Sequence, residues 1–119
     1  MNNDIGCSIH PYFQVAAGKL AEFKRLGVRF VERTRTEPGC LYYGFSYADD
    51  LAHCREGYAS ADALLVHLQN VSALIDEALK IAAIARLEVH APAAEIAKLR
   101  GPLASFNPQF FTLEYGIRK

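Results

Sequence analysis

The feature that most constrains the fold of this chain is a pair of strand-like segments joined by a tight turn. Residues 40–48 read CLYYGFSYA and residues 52–59 read AHCREGYA, and the turn at residues 49–51 predicts an antiparallel hairpin. Alternation puts Leu41, Tyr43, Phe45 and Tyr47 on one face of the first strand, and Tyr42, Gly44 and Ser46 on the other. Neither face is plainly suited to water. We therefore expect helices to cover one side of the sheet and a second subunit to cover the other.

The segments around this hairpin predict an α+β domain. The expected elements are a strand at 5–13, a helix from Gly18 to the Glu37-Pro38-Gly39 turn, a helical segment from an N-cap at Ser60 towards Leu79 with a break near Asn70, a strand at 85–90, a short helix at 93–101 and a strand at 109–115. Pro11 lacks an amide hydrogen, so the first strand is expected at a sheet edge or a bend. The order βαββαβ, with an extra C-terminal helix and strand, predicts one ferredoxin-like sandwich domain over residues 1–119.

The two main helices differ in the faces they present. The first has a buried stripe of Leu20, Phe23, Phe30 and Val31, with charged residues at most other positions, which favours a solvated outer face. The second has Leu64, Leu68, Val71 and Ile75 on one face. His67 falls on the margin of that apolar face at 100° per residue. It is therefore either a packed histidine with a hydrogen-bond partner or a residue facing a cavity.

Composition limits the classes of partner. The 119 residues include 13 basic and 13 acidic side chains, a balance that argues against nucleic acid or an anionic membrane surface as a partner. No apolar run approaches the ~18 residues of a membrane span, and MNNDIGCSIH does not resemble an export signal. Three cysteines without metal spacing favour reduced thiols and a cytoplasmic location. An apolar content of 51% exceeds what a small monomer buries easily, which favours a dimer interface or a ligand cavity.

Two spaced motifs carry a resemblance. Glu37-Pro38-Gly39-Cys40-Leu41 followed by Tyr43, and then Glu56-x-Tyr58-x-Ser60-x-x-Ala63-Leu64-x-x-His67, resemble the antibiotic biosynthesis monooxygenase domain family. The resemblance extends over the element order and length. It implies a dimeric α+β barrel, in which the sheets of two subunits pack together and each subunit keeps a cavity between its sheet and its helices.

The resemblance also implies candidate activities. The family includes cofactor-independent oxygenases of quinols and polyketide phenols, as well as heme-degrading enzymes. The heme-degrading branch uses a tryptophan, which aligns with His67 here, and a heme-ligand histidine that has no counterpart in the helical stretch that follows His67. The function that we expect is therefore oxygenation of a small quinol or aromatic polyketide-type substrate by O2 without a cofactor. The alternative is a non-catalytic module that binds a small apolar ligand or a partner protein.

Candidate site residues follow from the chemistry of such an oxygenation. The substrate must lose a proton, and an imidazole with a pKa near 6.5 accepts protons at cellular pH, so His67 is the candidate base, with Glu56 beside it. If the turn spans residues 49–51, Glu56 and Tyr58 share a face with Tyr42, Gly44, Ser46 and Cys54. The competing face carries Tyr43, Phe45, Tyr47, His53 and Arg55, and the sequence does not decide between the two faces. Tyr42, Tyr43, Arg55 and Tyr58 are thus the candidate substrate-binding residues.

Structural explanations compete with each of these roles. His67 can be a packed histidine, Glu56 can pair with an arginine or cap a backbone donor, and the tyrosines can be core or interface aromatics. Cys54 reads as an inert buried thiol. No metal is expected, because no pair among His10, His53, His67 and His90 has ligand spacing.

Overall fold

A computed structural model of the chain describes residues 4–119. Met1 to Asn3, the first residues of the segment compared above with an export signal, lie outside the described residues. The elements are β1 Cys7–Val15, α1 Leu20–Thr34, β2 Cys40–Ala48, β3 Leu51–Tyr58, α2 Ala61–Asn70, α3 Ser72–Ala78, β4 Ala82–Ala91, α4 Ala93–Leu99, a 3-10 turn at Ala104–Phe106 and β5 Gln109–Thr112. Every predicted strand and helix is present, within a few residues of its expected bounds.

The five strands form one sheet in the order β2-β3-β1-β4-β5. Within the sheet, β2, β3, β1 and β4 each pair antiparallel with the next strand in this order. The edge strand β5 pairs parallel with β4. Two apolar clusters hold the helices on one face of the sheet: one is centred on Leu64, Val89 and Leu99, and the other on Phe23, Phe30 and Val71. The arrangement confirms the predicted ferredoxin-like α+β sandwich with an extra C-terminal helix and strand. Within residues 4–119, no helix has both the length and the apolar character needed to cross a membrane.

Of the two alternatives predicted for β1, a sheet edge or a bend, the edge is wrong, and the strand instead has an irregularity beside Pro11. This strand lies in the middle of the sheet, between β3 and β4, and not at an edge. Its ladder is irregular around Pro11: pairing with β3 occurs at Ile9 and again at Tyr12, and the register with β4 shifts between Tyr12 and Phe13. A local irregularity of this kind accommodates a residue without an amide hydrogen inside a sheet.

Local signals placed the helices correctly. The Ser60 side chain caps α2 by accepting a hydrogen bond from the Ala63 amide at 3.2 Å, as predicted. The expected break near Asn70 is found at Val71, where α2 ends and α3 begins. In α1, Phe23 and Phe30 are buried as expected, Leu26 joins them, and the charged residues Lys24, Arg25 and Arg29 are exposed.

The hairpin turn is one residue shorter than predicted. Leu51 already belongs to β3 and pairs with Ala48, so only Asp49 and Asp50 form the turn. Asp49 has a φ of 52°, a left-handed conformation that aspartate tolerates in tight turns. Because side chains alternate with a period of two, this difference of one residue decides which face of β2 meets which face of β3.

Candidate active site

A narrow cavity lies between the sheet and helices α1 to α3. Its volume is about 60 Å³, and its walls are almost entirely apolar. The sheet supplies the floor through β1 to β4, the helices supply the roof, and residues after α4 close one side. Its polar lining side chains are those of Tyr43, Cys54, Glu56 and His67, and the apolar ones include Phe23, Phe30, Phe45, Leu87, Leu103 and Phe106.

His67 reaches this cavity from α2 and is held from behind by a carboxylate. Its Nδ1 atom lies 3.1 Å from Oε1 and 3.0 Å from Oε2 of Glu37, in the turn that follows α1. The Asn70 amide donates a hydrogen bond to Oε2 of Glu37 at 2.8 Å and so fixes the carboxylate. Since a carboxylate only accepts, Nδ1 carries the imidazole hydrogen and Nε2 keeps its lone pair. Both partners are buried: His67 is 2% exposed and Glu37 is 8% exposed.

The other nitrogen of His67 faces a second carboxyl group. Nε2 lies 3.4 Å from Oε1 of Glu56, a separation long for a hydrogen bond. Tyr58 donates its hydroxyl hydrogen to the same Oε1 atom at 2.7 Å. Glu56 comes from β3 and is 5% exposed. The imidazole thus lies between two buried glutamates that come from different parts of the fold.

Burial shifts the pKa values of Glu56 and His67, the two groups that face the cavity, in opposite directions. It raises the pKa of Glu56 to about 8, and the hydrogen bonds from Tyr58 and Cys54 offset only part of that effect. It lowers the pKa of His67, against the opposing influence of the Glu37 carboxylate. Near neutral pH the pair is therefore a carboxylic acid beside a neutral imidazole. Such a pair offers a proton donor and a proton acceptor side by side, which is the arrangement used in general acid–base catalysis.

The neighbouring hydroxyl and thiol are unreactive at neutral pH. Tyr43 lines the cavity with its ring centroid 5.1 Å from that of His67, and burial raises the pKa of its phenol far above the usual range. Burial likewise raises the pKa of the Cys54 thiol well above its ordinary value. Both groups therefore stay protonated, and Cys54 is the inert thiol that the sequence suggested.

The hairpin register separates the candidate residues into two groups. Tyr43 pairs with Glu56 across β2 and β3, so these two residues share the face under the helices. Gly44 pairs with Arg55, and Tyr42 lies on the opposite face with the Arg55 guanidinium 5.1 Å from its ring centroid. The suggestion that Tyr42 shares a face with Glu56 was therefore wrong, because the turn has two residues and not three. Tyr42 and Arg55 lie away from the cavity.

His67 combines the two alternatives that its helical position left open, because it has a hydrogen-bond partner in Glu37 and also lines the cavity. The side chain points into a cavity between helix and sheet, with Glu56 and the ring of Tyr58 nearby. Tyr58 is fully buried behind Glu56 and orients that carboxyl group without lining the cavity. The catalytic roles of His67 and Glu56 stay predictions, as does substrate binding by Tyr43.

Glu37 is a site residue for which the sequence had predicted no such role. It belongs to the Glu-Pro-Gly turn, which was interpreted as a helix stop, and it lies 30 positions before His67 in the chain. Periodicity carries no information across that separation. Two signals were available: Glu37 opens the first of the two motifs that carry the family resemblance, and it is an acidic residue in a turn between two apolar elements, where a buried position requires a partner.

The other three histidines lie on the face of the sheet opposite the helices. The ring of His10 is stacked with that of His53 at 6.1 Å and meets that of His90 edge-on at 4.9 Å. His53, His10 and His90 lie on the adjacent strands β3, β1 and β4, respectively, on the other side of the sheet from His67. Among residues 4–119, no group of three or more histidine, cysteine, aspartate or glutamate side chains is arranged to hold a metal ion.

Comparison with known proteins identifies relatives by structure. No protein-family model and no curated protein sequence matches the chain. Among solved structures, MupZ from Pseudomonas fluorescens superposes with a TM-score of 0.91 at 48% identity, over 96% of this chain and 94% of that chain. A protein from Caulobacter crescentus CB15 named "putative antibiotic biosynthesis monooxygenase" matches with a TM-score of 0.66 at 24% identity, over 74% and 90% of the two chains.

A third structure, named antibiotic biosynthesis monooxygenase, gives a TM-score of 0.61 at 18% identity and covers 70% of this chain and 92% of its own. At such low identity the last two matches establish the fold alone, which is the one that the sequence motifs resemble. The match to MupZ is closer and spans nearly the whole length of both proteins. The chain belongs to the same protein family as MupZ from Pseudomonas fluorescens, on an antibiotic biosynthesis monooxygenase-like fold.

Proposed function

We propose that this protein is an enzyme that transfers protons on a small apolar substrate, and that its reaction is the cofactor-independent oxygenation of a quinol or phenol. The observation that carries the proposal is the neutral imidazole of His67, which is fixed by Glu37 and faces an apolar cavity beside a protonated Glu56. The fold that the chain shares with proteins named as monooxygenases supports the class of reaction.

The proposed reaction needs only a base and a cavity that limits access of water. Nε2 of His67 accepts a hydroxyl proton from the substrate, and the resulting anion transfers an electron to O2. In the balanced reaction, a quinol and O2 give a hydroxyquinone and water. One oxygen atom enters the substrate, the other leaves as water, and the substrate supplies all four electrons. Glu56, as an acid, protonates the reduced oxygen when it departs.

One observation favours a second candidate function. Oxygenation requires mainly a base, whereas this site also holds a carboxylic acid with a pKa of about 8. An acid and a base that face the same cavity suit a redox-neutral conversion, in which a proton is removed at one atom of the substrate and delivered to another. In that reaction Glu56 donates, His67 accepts, and O2 is not consumed.

A single assay separates these functions. The protein is incubated with a panel of alkyl-substituted hydroquinones and phenols while O2 consumption is recorded, and the products are analysed by mass spectrometry. Oxygenation predicts O2 uptake together with the gain of one oxygen and the loss of two hydrogens. Incorporation of deuterium from D2O at a ring carbon, without O2 uptake, indicates the redox-neutral proton transfer. Tight binding of a panel member without any conversion would contradict both and leave a ligand-binding module.

We also propose that two copies associate through the sheet face that the helices leave uncovered. In one subunit this face presents the rings of Tyr12, Tyr42 and Phe111 together with the three histidines. Aromatic surface of this extent is costly to leave in water, and a second sheet would cover it. Light scattering coupled to size exclusion tests the proposal, and a stable monomer at micromolar concentration would contradict it.

A further inference from the structure

His67 lies between two carboxyl groups, and either of them can accept its imidazole hydrogen. Glu37 meets Nδ1 with both oxygens, at 3.0 and 3.1 Å, and Glu56 meets Nε2 at 3.4 Å. A neutral imidazole has a single N–H hydrogen, so the two carboxyl groups compete for it. If the hydrogen lay on Nε2, the nitrogen that faces the cavity would have no lone pair and could not accept a proton. Whatever decides this competition therefore decides whether the site contains a base.

Asn70 acts on one side of the competition. It lies three positions after His67 in α2, so the two side chains are neighbours on one face of the helix. Its amide nitrogen donates to Oε2 of Glu37 at 2.8 Å and to the backbone carbonyl of Arg33 at 3.0 Å. These bonds use both amide hydrogens, and the amide oxygen accepts from Nη2 of Arg33 at 3.4 Å. A reversed amide would lose all three contacts, so the orientation of the Asn70 side chain is fixed.

The ends of two helices bring these groups together. Arg33 lies in the last turn of α1, where backbone carbonyls have no amide partner within the helix. Asn70 is the last residue of α2, because the chain breaks at Val71 before α3 begins. The Asn70 amide therefore joins the C-terminal ends of α1 and α2 to the turn that carries Glu37. In this way the helix that supplies His67 also holds the carboxylate in front of Nδ1.

Asn70 also takes a place that water would otherwise fill. Glu37 and Asn70 line an open hollow of about 350 Å³ at the surface, on the side of the carboxylate away from the cavity. Glu37 is 8% exposed and His67 is 2% exposed, so Glu37 is the member of this pair that is closer to solvent. Water bound from the hollow could replace the hydrogen bond from Asn70, but it would not hold the carboxylate in one orientation.

We propose that Asn70 is a positioning residue that selects the tautomer of His67: it holds Glu37 against Nδ1, so that Nε2 faces the cavity with its lone pair. This role rests on the proposed function, in which that lone pair is the base. The competing explanation is structural. Asn70 would then only join α1 to α2, and its loss would lower the free energy of unfolding without changing the tautomer.

Nuclear magnetic resonance of ¹⁵N-labelled protein tests the proposal without a substrate, because it shows which imidazole nitrogen carries hydrogen. The signals of His67 are identified by their loss in His67→Gln. At pH 7 the wild type should have hydrogen on Nδ1. Asn70→Leu keeps the approximate shape of the side chain but donates no hydrogen bond. It should shift the ratio of the two tautomers towards Nε2–H by about tenfold, the effect of losing one hydrogen bond to a charged group. Asn70→Ala should act in the same direction.

The matched control is Gln69→Leu, which removes the neighbouring amide. Gln69 is exposed and lines the same hollow, but it does not take part in the hydrogen bonds to Glu37 described above. This variant should leave the tautomer ratio unchanged. The signals of His10, His53 and His90, on the other face of the sheet, should not move in any of the three variants. An unchanged ratio in both Asn70 variants, with the fold confirmed by circular dichroism, would overturn the proposal.

Kinetics with a converted quinol or phenol test whether Asn70 acts through Glu37. Asn70→Leu should lower kcat about tenfold and leave KM within about twofold, because the base is misplaced but the cavity is not altered. In a Glu37→Gln background the same substitution should cause no further loss, since the group through which Asn70 acts is already replaced. Losses that multiply in the double variant would contradict action through Glu37.

Failure of the proposed function gives a different result. If the tautomer ratio changes as predicted but no quinol or phenol is converted, then the reaction is wrong and the positioning role stands. If quinols are converted while the ratio stays unchanged in Asn70→Leu and Asn70→Ala, then the reaction stands and the positioning role is wrong.

Discussion

The two faces of the one sheet use histidine in opposite ways. On the face under the helices, His67 stands alone between Glu37 and Glu56, and all three side chains are at least nine-tenths buried. On the uncovered face, the ring of His10 contacts those of His53 and His90, and all three residues are partly exposed. The first histidine is buried between two carboxyl groups. The other three each have a different hydrogen-bond partner at a half-exposed position: the Ser8 hydroxyl for His10, the Pro11 carbonyl for His53 and the Glu88 carboxyl group for His90.

This difference shows what makes a histidine suitable for catalysis. Burial lowers the pKa of both His67 and His10, so the direction of the shift does not distinguish them. Orientation does. Glu37 determines which nitrogen of His67 carries hydrogen, whereas the Nε2 atom of His10 meets the Ser8 hydroxyl, which can donate or accept. If this difference matters, substitutions under the helices should have larger effects than matched substitutions on the uncovered face.

His67→Gln should reduce turnover of a converted substrate by ~10²–10⁴-fold, the usual cost of losing a general base. Glutamine preserves a polar group of similar size, so the fold should persist. The matched variant on the uncovered face is His90→Gln, which should keep turnover within about twofold. Steady-state kinetics and circular dichroism check both. Equal losses in the two variants would show that the helix-covered histidine has no special role.

Glu37→Gln should lower kcat by about 10²-fold, because an amide can reverse its orientation and no longer fixes which nitrogen of His67 carries hydrogen. Glu37 does not line the cavity, so KM should change little. Asp50→Asn in the hairpin turn is the exposed control. A large rise in KM with kcat unchanged would place Glu37 in substrate binding and contradict a positioning role.

Glu56 should make stability depend on pH in a definite direction. Its pKa of about 8 in the folded state exceeds that of a free carboxyl, so the folded chain holds a proton that the unfolded chain has released. The resulting stabilisation is complete at low pH and is lost as the pH rises towards 8. The lowered pKa values of His67 and His10 have the opposite effect: they make the free energy of unfolding rise with pH, but only below about pH 6.5.

Between about pH 6.5 and 8, the free energy of unfolding should therefore fall by about 1 kcal/mol per pH unit in the wild type. Urea titrations of Glu56→Gln should lack this slope. Glu88→Gln, on the uncovered face, removes a carboxyl whose pKa is lowered by hydrogen bonds from His90 and Arg86, so it should leave the slope intact. A wild-type stability that stays flat over this range would mean that Glu56 is ionised.

The smallest effect should come from the uncovered face. His10 is faced by His53 on β3 and by His90, Glu88 and Arg86 on β4. Burial lowers its pKa, the other two histidines add to that effect, and Glu88 opposes it. If a second subunit covers this face, acidification from about pH 7.5 to 5.5 should weaken the dimer ~3–10-fold as protonation adds like charges. Sedimentation equilibrium measures the dissociation constant.

His10→Gln should reduce this pH dependence, and His67→Gln should leave it in place. A dimer with the same dissociation constant at both pH values would mean that the three histidines lie outside the contact.

The sequence specified the elements far better than their contacts. Ser60 marked the start of α2, and periodicity put Leu64 and Val71 on its buried side, because these signals lie within a few neighbouring residues. Periodicity was wrong on the centre of that side: His67, expected at its margin, is buried, whereas Leu68 and Ile75 are half-buried. The pairing of β2 with β3 depended on whether the turn held two residues or three, and composition does not distinguish these cases. The Glu37–His67 contact joins two segments through tertiary packing, so no local pattern contained it.

The short turn at Asp49 and Asp50 has a consequence for the evolution of the family. Surface turns usually tolerate insertions and deletions freely. Here the turn sets the partnership of Tyr43 with Glu56, so inserting one residue would exchange the two faces of β2. Tyr42 would then take the place of Tyr43 under the helices. Related proteins that keep this chemistry should therefore vary the length of this turn by even numbers of residues, although the turn lies in solvent and touches no substrate.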